Sequence, residues 1–256
     1  MNVEYNHMTN LHTLEGPHAA LARLLPDFTP ASLLDVGCGM GTWLRAAIDH
    51  GITDIAGIDG VNIPRDQLLF PAQKFIHKDL SAPIDLGRRF ALAICLEVGE
   101  HLPASAAGTL VKTLTKHSDT VLFSAACPGQ PGQHHVNCQW PAFWQKYFNS
   151  NGFECDDSPR WKIWDEPNIE VWYRQNIFTA RKNSNAGKET RIHAVVHPEM
   201  VPNIEAASLD AARQSAANTE RLNIANGSMT LDWYIRTPLV ALGRKTRRHL
   251  LRNGNT

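Results

Sequence analysis

The chain has 256 residues, 43% of them hydrophobic, which is enough for one sizeable core or for one domain with an appendage. Its 25 Lys and Arg residues balance its 25 Asp and Glu residues, so no net charge selects a nucleic acid or an anionic membrane as partner. The five cysteines form no CxxC pair, the N-terminus has no apolar signal-peptide core and no apolar run could span a bilayer, so we expect a cytoplasmic protein in a reducing compartment.

Short apolar runs alternate with helical stretches over residues 32–179. The runs predicted as strands are Ser32–Val36, Ile55–Ile58, Lys74–His77, Phe90–Leu96, Thr120–Ser124, Trp161–Trp164 and Asn176–Thr179, the last of them antiparallel. The stretches predicted as helices are Pro17–Leu25, Thr42–His50, Ala104–Lys116 and Gln139–Asn151. Nearly continuous apolar strands separated by helices are typical of a parallel sheet buried on both faces. The sequence therefore predicts an α/β fold with a doubly wound, mostly parallel sheet.

The composition changes after Arg181. Lys182–Lys188 is polar and rich in Asn and Ser, as a linker would be, and Ile204–Asn223 is alanine-rich with a helical pattern. Basic residues are frequent from Arg236 to Arg252. We expect residues 1–181 to form the main domain and residues 182–256 to form a linker with a helical, basic extension. A solvated tail is favoured over an amphipathic helix that binds RNA, a partner or an anionic surface.

A glycine-rich turn joins the first predicted strand to the first helix of the alternating region, in the sequence LLDVGCGMG (Leu33 to Gly41). Glycine permits backbone angles and close ligand approaches that other residues avoid, and open α/β sheets bind ligands at such turns. The GxGxG spacing differs from the GxGxxG of dinucleotide sites, and no P-loop lysine follows. The run resembles motif I of class I S-adenosylmethionine-dependent methyltransferases. This resemblance covers about residues 33–179 and implies their Rossmann-like seven-stranded sheet.

The resemblance also implies a set of cofactor-binding residues. Asp59 ends the second predicted strand, about where such sites place a carboxylate for the ribose hydroxyls. Asp79 matches the position that hydrogen-bonds the adenine amino group, with the Leu80 backbone nearby. Trp43 could line the pocket, although core packing is the more common role of such an aromatic. The residues predicted to bind the cofactor are Asp35, Gly37, Cys38, Gly39, Gly41, Trp43, Asp59, Gly60, Asp79, Leu80, Leu96 and Glu97.

Candidate catalytic residues follow the fourth predicted strand, in the motif Glu97-Val98-Gly99-Glu100-His101. Methyl transfer to a hydroxyl needs a base, or a metal ion that lowers the hydroxyl pKa. The Glu-x-x-Glu-His spacing resembles ubiquinone-biosynthesis O-methyltransferases and small-RNA 3′-terminal 2′-O-methyltransferases, in which the matching residues bind a divalent metal. The RNA-modifying family adds a histidine after the fifth strand, for which His135 is the better match and His134 the neighbour to test.

The resemblance therefore implies two roles for this motif. The predicted catalytic residues are His101, Glu100 and His135, and the candidate ligands of Mg or Mn are Glu97, Glu100, His101 and His135. In metal-free relatives the motif histidine acts instead as a base or as a structural hydrogen-bond donor. The Gly- and Pro-rich loop Ser124–Gly132 and the segment Trp172–Asn176 are expected to face the acceptor.

The leading hypothesis is O-methylation of a hydroxyl on a small molecule, such as a sugar, a nucleoside or a phenolic metabolite. A second hypothesis is methylation of a terminal ribose 2′-hydroxyl of RNA, which the motif and the basic tail favour and the zero net charge disfavours. A third is a cofactor-binding regulatory protein without catalysis. The sequence leaves the acceptor, the metal and the oligomeric state open.

Overall fold

The computed structural model describes residues 5–7, 13–25 and 29–236, and its contacts divide the chain into the units Met1–Glu205 and Ala206–Thr256. The first unit contains a seven-stranded sheet in the order β3-β2-β1-β4-β5-β7-β6. Its strands are β1 (Leu33–Val36), β2 (Ile55–Asp59), β3 (Phe75–His77), β4 (Leu92–Leu96), β5 (Thr120–Ser124), β6 (Phe153–Asp156) and β7 (Phe178–Lys182). The first five strands are parallel, and β7 is antiparallel to both β5 and β6. The predicted doubly wound sheet with an antiparallel last strand is confirmed.

Helices cover both faces of this sheet. They are α1 (Glu15–Leu24), α2 (Thr42–Asp49), α3 (Ala107–His117), α4 (Pro141–Ser150), α5 (Ser158–Ile163), α6 (Val171–Asn176) and α7 (Val201–Ala225). Successive strand residues point to opposite faces, so that Leu33 packs in one hydrophobic cluster and Leu34 in the other. The cluster with Leu34 includes side chains of α3 and α4, and the cluster with Leu33 includes side chains of α1, α2, α5 and α6. Because both faces are buried, the strands are apolar along nearly their whole length.

The strand order reverses between β1 and β4. Strand β1 pairs with β2 on one side and with β4 on the other, so the chain winds in opposite directions from this point. Crevices form beyond the carboxyl ends of the strands at such a reversal, and ligands bind there. The residues that follow Val36 and Leu96, which include the glycine turn and the Glu-x-x-Glu-His motif, therefore meet at one edge of the sheet.

The predicted strand Trp161–Trp164 is wrong. These residues lie in and just after helix α5, in which Pro159 occupies the first turn, where proline stabilises a helix. Trp161 is 53% exposed and Ile163 is fully buried, whereas a strand would place both on one face. The strand that precedes β7 in the chain is instead β6, in which Phe153 and Cys155 are buried and alternate with more exposed residues.

The compact unit extends beyond the predicted boundary at Arg181. After β7 the chain returns to the core, because Glu189 accepts a hydrogen bond from Gln145 (3.0 Å) and Ile192 is buried. Further on, Glu199 forms an ion pair with Arg174 of α6. The polar composition of Lys182–Lys188 therefore does not mark the end of the first unit.

Helix α7 begins in the first unit and ends in the second, and it contains no buried side chain. In the second unit Arg236 pairs with Asp232 at 2.6 Å. The remainder of the predicted basic run, residues 237–252, lies outside the described residues. None of the helices in the described part of the chain has the length and apolarity that a bilayer crossing requires.

Candidate active site

A cavity of about 710 Å³ opens at the carboxyl ends of the parallel strands, within the roughly 300–1,000 Å³ typical of small-molecule sites. Every predicted site residue except Gly41 lines it. Gly41 precedes α2 with φ of +89°, and a Cβ there would lie 2.1 Å from the ring of Phe70. Glycine is therefore required at position 41 for the turn to pack against Phe70. For Trp43 the sequence left two roles open, in the pocket or in the core. Trp43 has both roles, because it lines the cavity and is 5% exposed.

The glycine turn holds Asp59 in a fixed orientation. Gly37 and Gly39 have φ of +86° and +52°, which favour glycine. A Cβ on Gly37 would lie 2.3 Å from a methyl group of Val98, so only glycine lets the turn approach the loop after β4. The amide of Gly39 donates to Asp59 Oδ2 (2.8 Å), and the amide of Val61 donates to Oδ1 (2.7 Å). The Asp59 carboxylate therefore lies at the turn itself.

The cavity lining is acidic. Asp35 is buried beneath the glycine turn, and its burial, together with the charge of Asp59, raises its pKa well above the ordinary value. Among the described lining residues Lys78 is the single Lys or Arg, against five carboxylates: Asp35, Asp59, Asp79, Glu97 and Glu100. With five carboxyl groups and one lysine, this lining supplies little positive charge for a pyrophosphate, whereas a cationic ligand with ribose hydroxyls suits it.

Asp79 lies at the β3 end of the cavity and is exposed. Its Oδ1 accepts hydrogen bonds from the Ser81 hydroxyl (2.6 Å) and amide (2.9 Å), which lower its pKa and keep the carboxylate charged. The neighbouring Leu80 is buried and packs beside Gly60. This end of the cavity thus pairs a hydrogen-bond acceptor with an apolar wall.

Glu97 occupies a strained position at the end of β4. Its φ of +55° is unusual for a residue other than glycine, and such strain is concentrated at functional sites. Its carboxylate accepts hydrogen bonds from Gln130 (2.7 Å) and Asn176 (3.2 Å), and Asn176 also donates to the Gln130 side chain (2.8 Å). Burial outweighs these bonds and raises the pKa of Glu97 to about 7. Gln130 and Asn176 lie in segments predicted to face the acceptor, but no local sequence pattern indicates their contact with Glu97.

Glu100, His101 and His135 form a compact group. One potential ligand atom from each lies within 4.8 Å of the others. Glu100 is 1% exposed, and among the described residues neither of its oxygens receives a hydrogen bond of normal geometry. The imidazole rings of His101 and His135 meet edge to face, with centroids 5.1 Å apart. Glu97, predicted as a fourth member, does not belong to this group.

Burial sets the protonation states of these three residues. It lowers the pKa of His101 to about 4, with a further contribution from His135, and it lowers the pKa of His135 as well. Burial and the charge of Glu97 raise the pKa of Glu100 well above its ordinary value. Both imidazoles are therefore neutral at pH 7, each with Nδ1 directed at a carbonyl: that of His134 (3.4 Å) for His101 and that of Gln130 (3.0 Å) for His135.

The loop after β5 places His135, and not His134, in the cavity. His134 is exposed with φ of +50° and contributes only its carbonyl to the site. A Cβ on Gly132 would lie 2.0 Å from His135 Nε2, so the imidazole occupies space that only glycine leaves open. The loop is thus shaped around this ring.

A protein-family model described as a methyltransferase domain matches residues 10–179. The chain belongs to this methyltransferase family. It is an S-adenosylmethionine-dependent enzyme of class I, as its glycine turn implies. A search of curated proteins finds no significant match.

Several solved structures are similar to the methyltransferase at low sequence identity. DesVI from Streptomyces venezuelae is 16% identical, with 66% of this chain and 91% of that chain covered and a TM-score of 0.49. Magnesium protoporphyrin IX methyltransferase from Synechocystis PCC 6803, with bound SAH, is 20% identical, with 66% and 82% covered and a TM-score of 0.49. The sugar N-methyltransferase KedS8 from Streptoalloteichus sp. ATCC 53650 is 15% identical, with 66% and 85% covered and a TM-score of 0.46.

Sequence reasoning missed the contribution of the N-terminal segment. Tyr5 and His7 line the cavity beside residues of the glycine turn and the motif after β4. Gln133, adjacent to the predicted His134, lines it as well. No periodicity or motif marks Tyr5 and His7, and their contact with the site is visible only in three dimensions.

Proposed function

We propose that the methyltransferase transfers its methyl group to a hydroxyl of a small molecule, such as a sugar, a nucleoside or a phenolic metabolite. The supporting observation is the pair of neutral imidazoles, His101 and His135, at the β4 end of the cavity. A protonated hydroxyl is a poor nucleophile, so its methylation gains from a nearby base, whereas a neutral amine needs none to attack. A neutral histidine has a ring nitrogen with a free lone pair that can accept that proton.

In this proposal the cofactor lies along the carboxyl ends of β1 to β4. Asp59 accepts from the ribose hydroxyls, because Gly39 and Val61 already orient its carboxylate. Asp79 and Leu80 bind the adenine, and Glu97 faces the cationic methionine end. The donor set fits S-adenosylmethionine, whose sulfonium and ammonium groups match the acidic lining. When bound, its sulfonium supplies a methyl group already activated for displacement.

His101 has the role of general base. Its Nδ1 is directed at the His134 carbonyl, which leaves Nε2 to accept the hydroxyl proton. Glu100 Oε1 lies 4.0 Å from that nitrogen, so an ionised Glu100 carboxylate stabilises the imidazolium once it forms. His135, edge to face with His101, orients the acceptor. The cavity holds these groups in place and so reduces the entropy cost of alignment.

A divalent-ion site is the second candidate role for Glu100, His101 and His135. The buried Glu100 carboxylate and the two neutral imidazoles supply one oxygen and two nitrogen ligands, a set that suits Mn²⁺ better than the oxygen-preferring Mg²⁺. An ion there would lower the pKa of the acceptor hydroxyl. Calorimetric titration with Mn²⁺ tests this role: binding that His135→Ala abolishes supports it, and no heat with the wild-type protein contradicts it.

The acidic lining also favours one class of acceptor over the other. An RNA terminus brings phosphates close to its ribose, and a cavity with five carboxylates and one lysine disfavours them. A sugar, nucleoside or phenol lacks that charge. We therefore place a small-molecule acceptor ahead of RNA.

The deciding experiment follows transfer of a labelled methyl group to a library of small molecules and to short RNAs. We expect O-methylated products, and we expect His101→Ala to keep its affinity for S-adenosylhomocysteine while turnover falls by about 10²–10⁴-fold. His50→Ala, an exposed histidine at the end of α2, is the matched control and should retain activity. Unchanged turnover in His101→Ala would remove the base from the mechanism, and products methylated only on nitrogen would contradict the hydroxyl acceptor.

A further inference from the structure

Residues 5–7, which we call the strap, lie across the cavity. The amide of Asn6 donates to the side-chain oxygen of Gln133, and the side-chain nitrogen of Gln133 donates to the carbonyl of Asn6, both at 3.2 Å. One glutamine side chain thus binds both backbone groups of one strap residue. Both bonds involve only the backbone of Asn6. They would therefore hold the strap in place with any side chain at position 6.

The first neighbour of the strap is the glycine turn. His7 Nε2 lies 3.6 Å from Asp59 Oδ1, on the carboxylate that we assign to the ribose. The same imidazole lies 3.1 Å from where a Cβ on Gly39 would be. Its side chain is only 13% exposed, so the ring lies within the cavity. His7 therefore borders the cofactor half of the pocket.

The second neighbour is the proposed base. The ring of Tyr5 meets the imidazole of His101 edge to face, with centroids 4.7 Å apart. It makes a second edge contact with His7, also at 4.7 Å. Tyr5, His7 and His101 thus form a continuous row of rings from the ribose position to the acceptor position. Gln133 belongs to the same loop as His135, so one loop holds both the strap and the second histidine of the site.

We propose that the strap is the wall that closes the pocket over the bound cofactor, with Gln133 as its latch, His7 against the ribose and Tyr5 as a positioning residue for His101. This proposal rests on the cofactor position assigned above. Both strap rings line a cavity that remains about 710 Å³ with the strap in place, which leaves room for a ligand beneath it. Cofactor that leaves must then pass the strap, and an aromatic edge holds His101 in one orientation.

The latch is tested with S-adenosylhomocysteine as the probe. We expect Gln133→Ala in the full chain to raise the dissociation rate of the probe about tenfold in stopped-flow measurements and to weaken its binding by the same factor, which corresponds to about 1.4 kcal/mol. Gln139→Ala is the matched control, because it removes the same side chain from the same loop at a residue that bonds Asn137. It should leave both constants unchanged. An unchanged dissociation rate in Gln133→Ala overturns the proposal, and tighter binding overturns it too, because the strap would then compete with the cofactor.

Three further variants test the strap separately from the assigned cofactor position. Asp59→Asn should weaken binding of the probe; if it does not, the assigned cofactor position is wrong, whatever the strap does. If Asp59→Asn weakens binding and Gln133→Ala has no effect, the strap alone fails. Tyr5→Ala should lower kcat about tenfold with the KM for S-adenosylmethionine unchanged, and Tyr5→Phe, which keeps the ring edge, should restore it. Equal loss in both Tyr5 variants, or no loss in either, contradicts the positioning role.

Discussion

Gly132 offers a test of His135 that leaves the core untouched. Alanine at this position would place a Cβ 2.0 Å from His135 Nε2, and ordinary contact begins at 3.4 Å. The nearest atoms belong to the end of a side chain, and Gly132 is exposed, so the ring moves rather than the backbone. We expect Gly132→Ala to fold normally with the imidazole displaced by about 1.4 Å.

The displacement of the His135 imidazole determines how far kcat should fall. Misplacement of a reacting group by about 1 Å can lower a rate about 10²-fold, so we expect kcat of Gly132→Ala to fall by at least that factor on the acceptor found in the library screen. Affinity for S-adenosylhomocysteine should change less than twofold, because the substitution moves His135, which lies in the part of the cavity that we assign to the acceptor. Gly108→Ala in α3, outside the cavity, is the control and should keep full activity.

A double variant makes the test specific. If Gly132→Ala acts by moving His135, then adding it to His135→Ala should cause no further loss, since the two changes affect one group. Additive losses would show that Gly132 acts through another part of the loop. Normal turnover in Gly132→Ala would refute the inference that the position of His135 matters.

Two predictions concern protons. A cation next to Glu97 lowers its raised pKa, so binding of S-adenosylmethionine at pH 6 should release protons, measured by calorimetry in buffers of different ionisation enthalpy, and Glu97→Gln should release fewer. Protonated His101 cannot act as a base, and burial places its pKa at about 4, so kcat with saturating S-adenosylmethionine should be halved near pH 4 as the pH falls. An acid limb centred near pH 6.5 would contradict that burial.

The residues predicted to bind the cofactor lie together at one edge of the sheet because the sequence signals for them are local. The glycine turn directly follows a buried strand, and Asp59 and Asp79 follow the next two, so the order of the chain places them at one edge of the sheet. Helix α5 was mistaken for a strand because a six-residue element is too short for its period to be clear. The interpretation of Trp161 as part of a strand ignored Pro159, which marks a helix start.

The acceptor half depends on long-range side-chain contacts that no local pattern encodes. Glu97 meets Asn176, 79 positions away, and Asn6 meets Gln133, 127 positions away. The motif after β4 did indicate the compact group of Glu100 and His101 with His135. It also suggested Glu97 as a metal ligand, since spacing alone does not reveal that amides of Gln130 and Asn176 already engage that carboxylate.

The charge of the pocket links cofactor binding to turnover. Burial of Asp35, Glu97 and Glu100 together is unfavourable without a compensating cation, which is why their pKa values rise. S-adenosylmethionine supplies positive charge at its sulfonium, and methyl transfer removes that charge, because the product is a neutral thioether. The acidic lining therefore stabilises the substrate form of the cofactor more than the product form. This difference favours release of the product and entry of a new methyl donor.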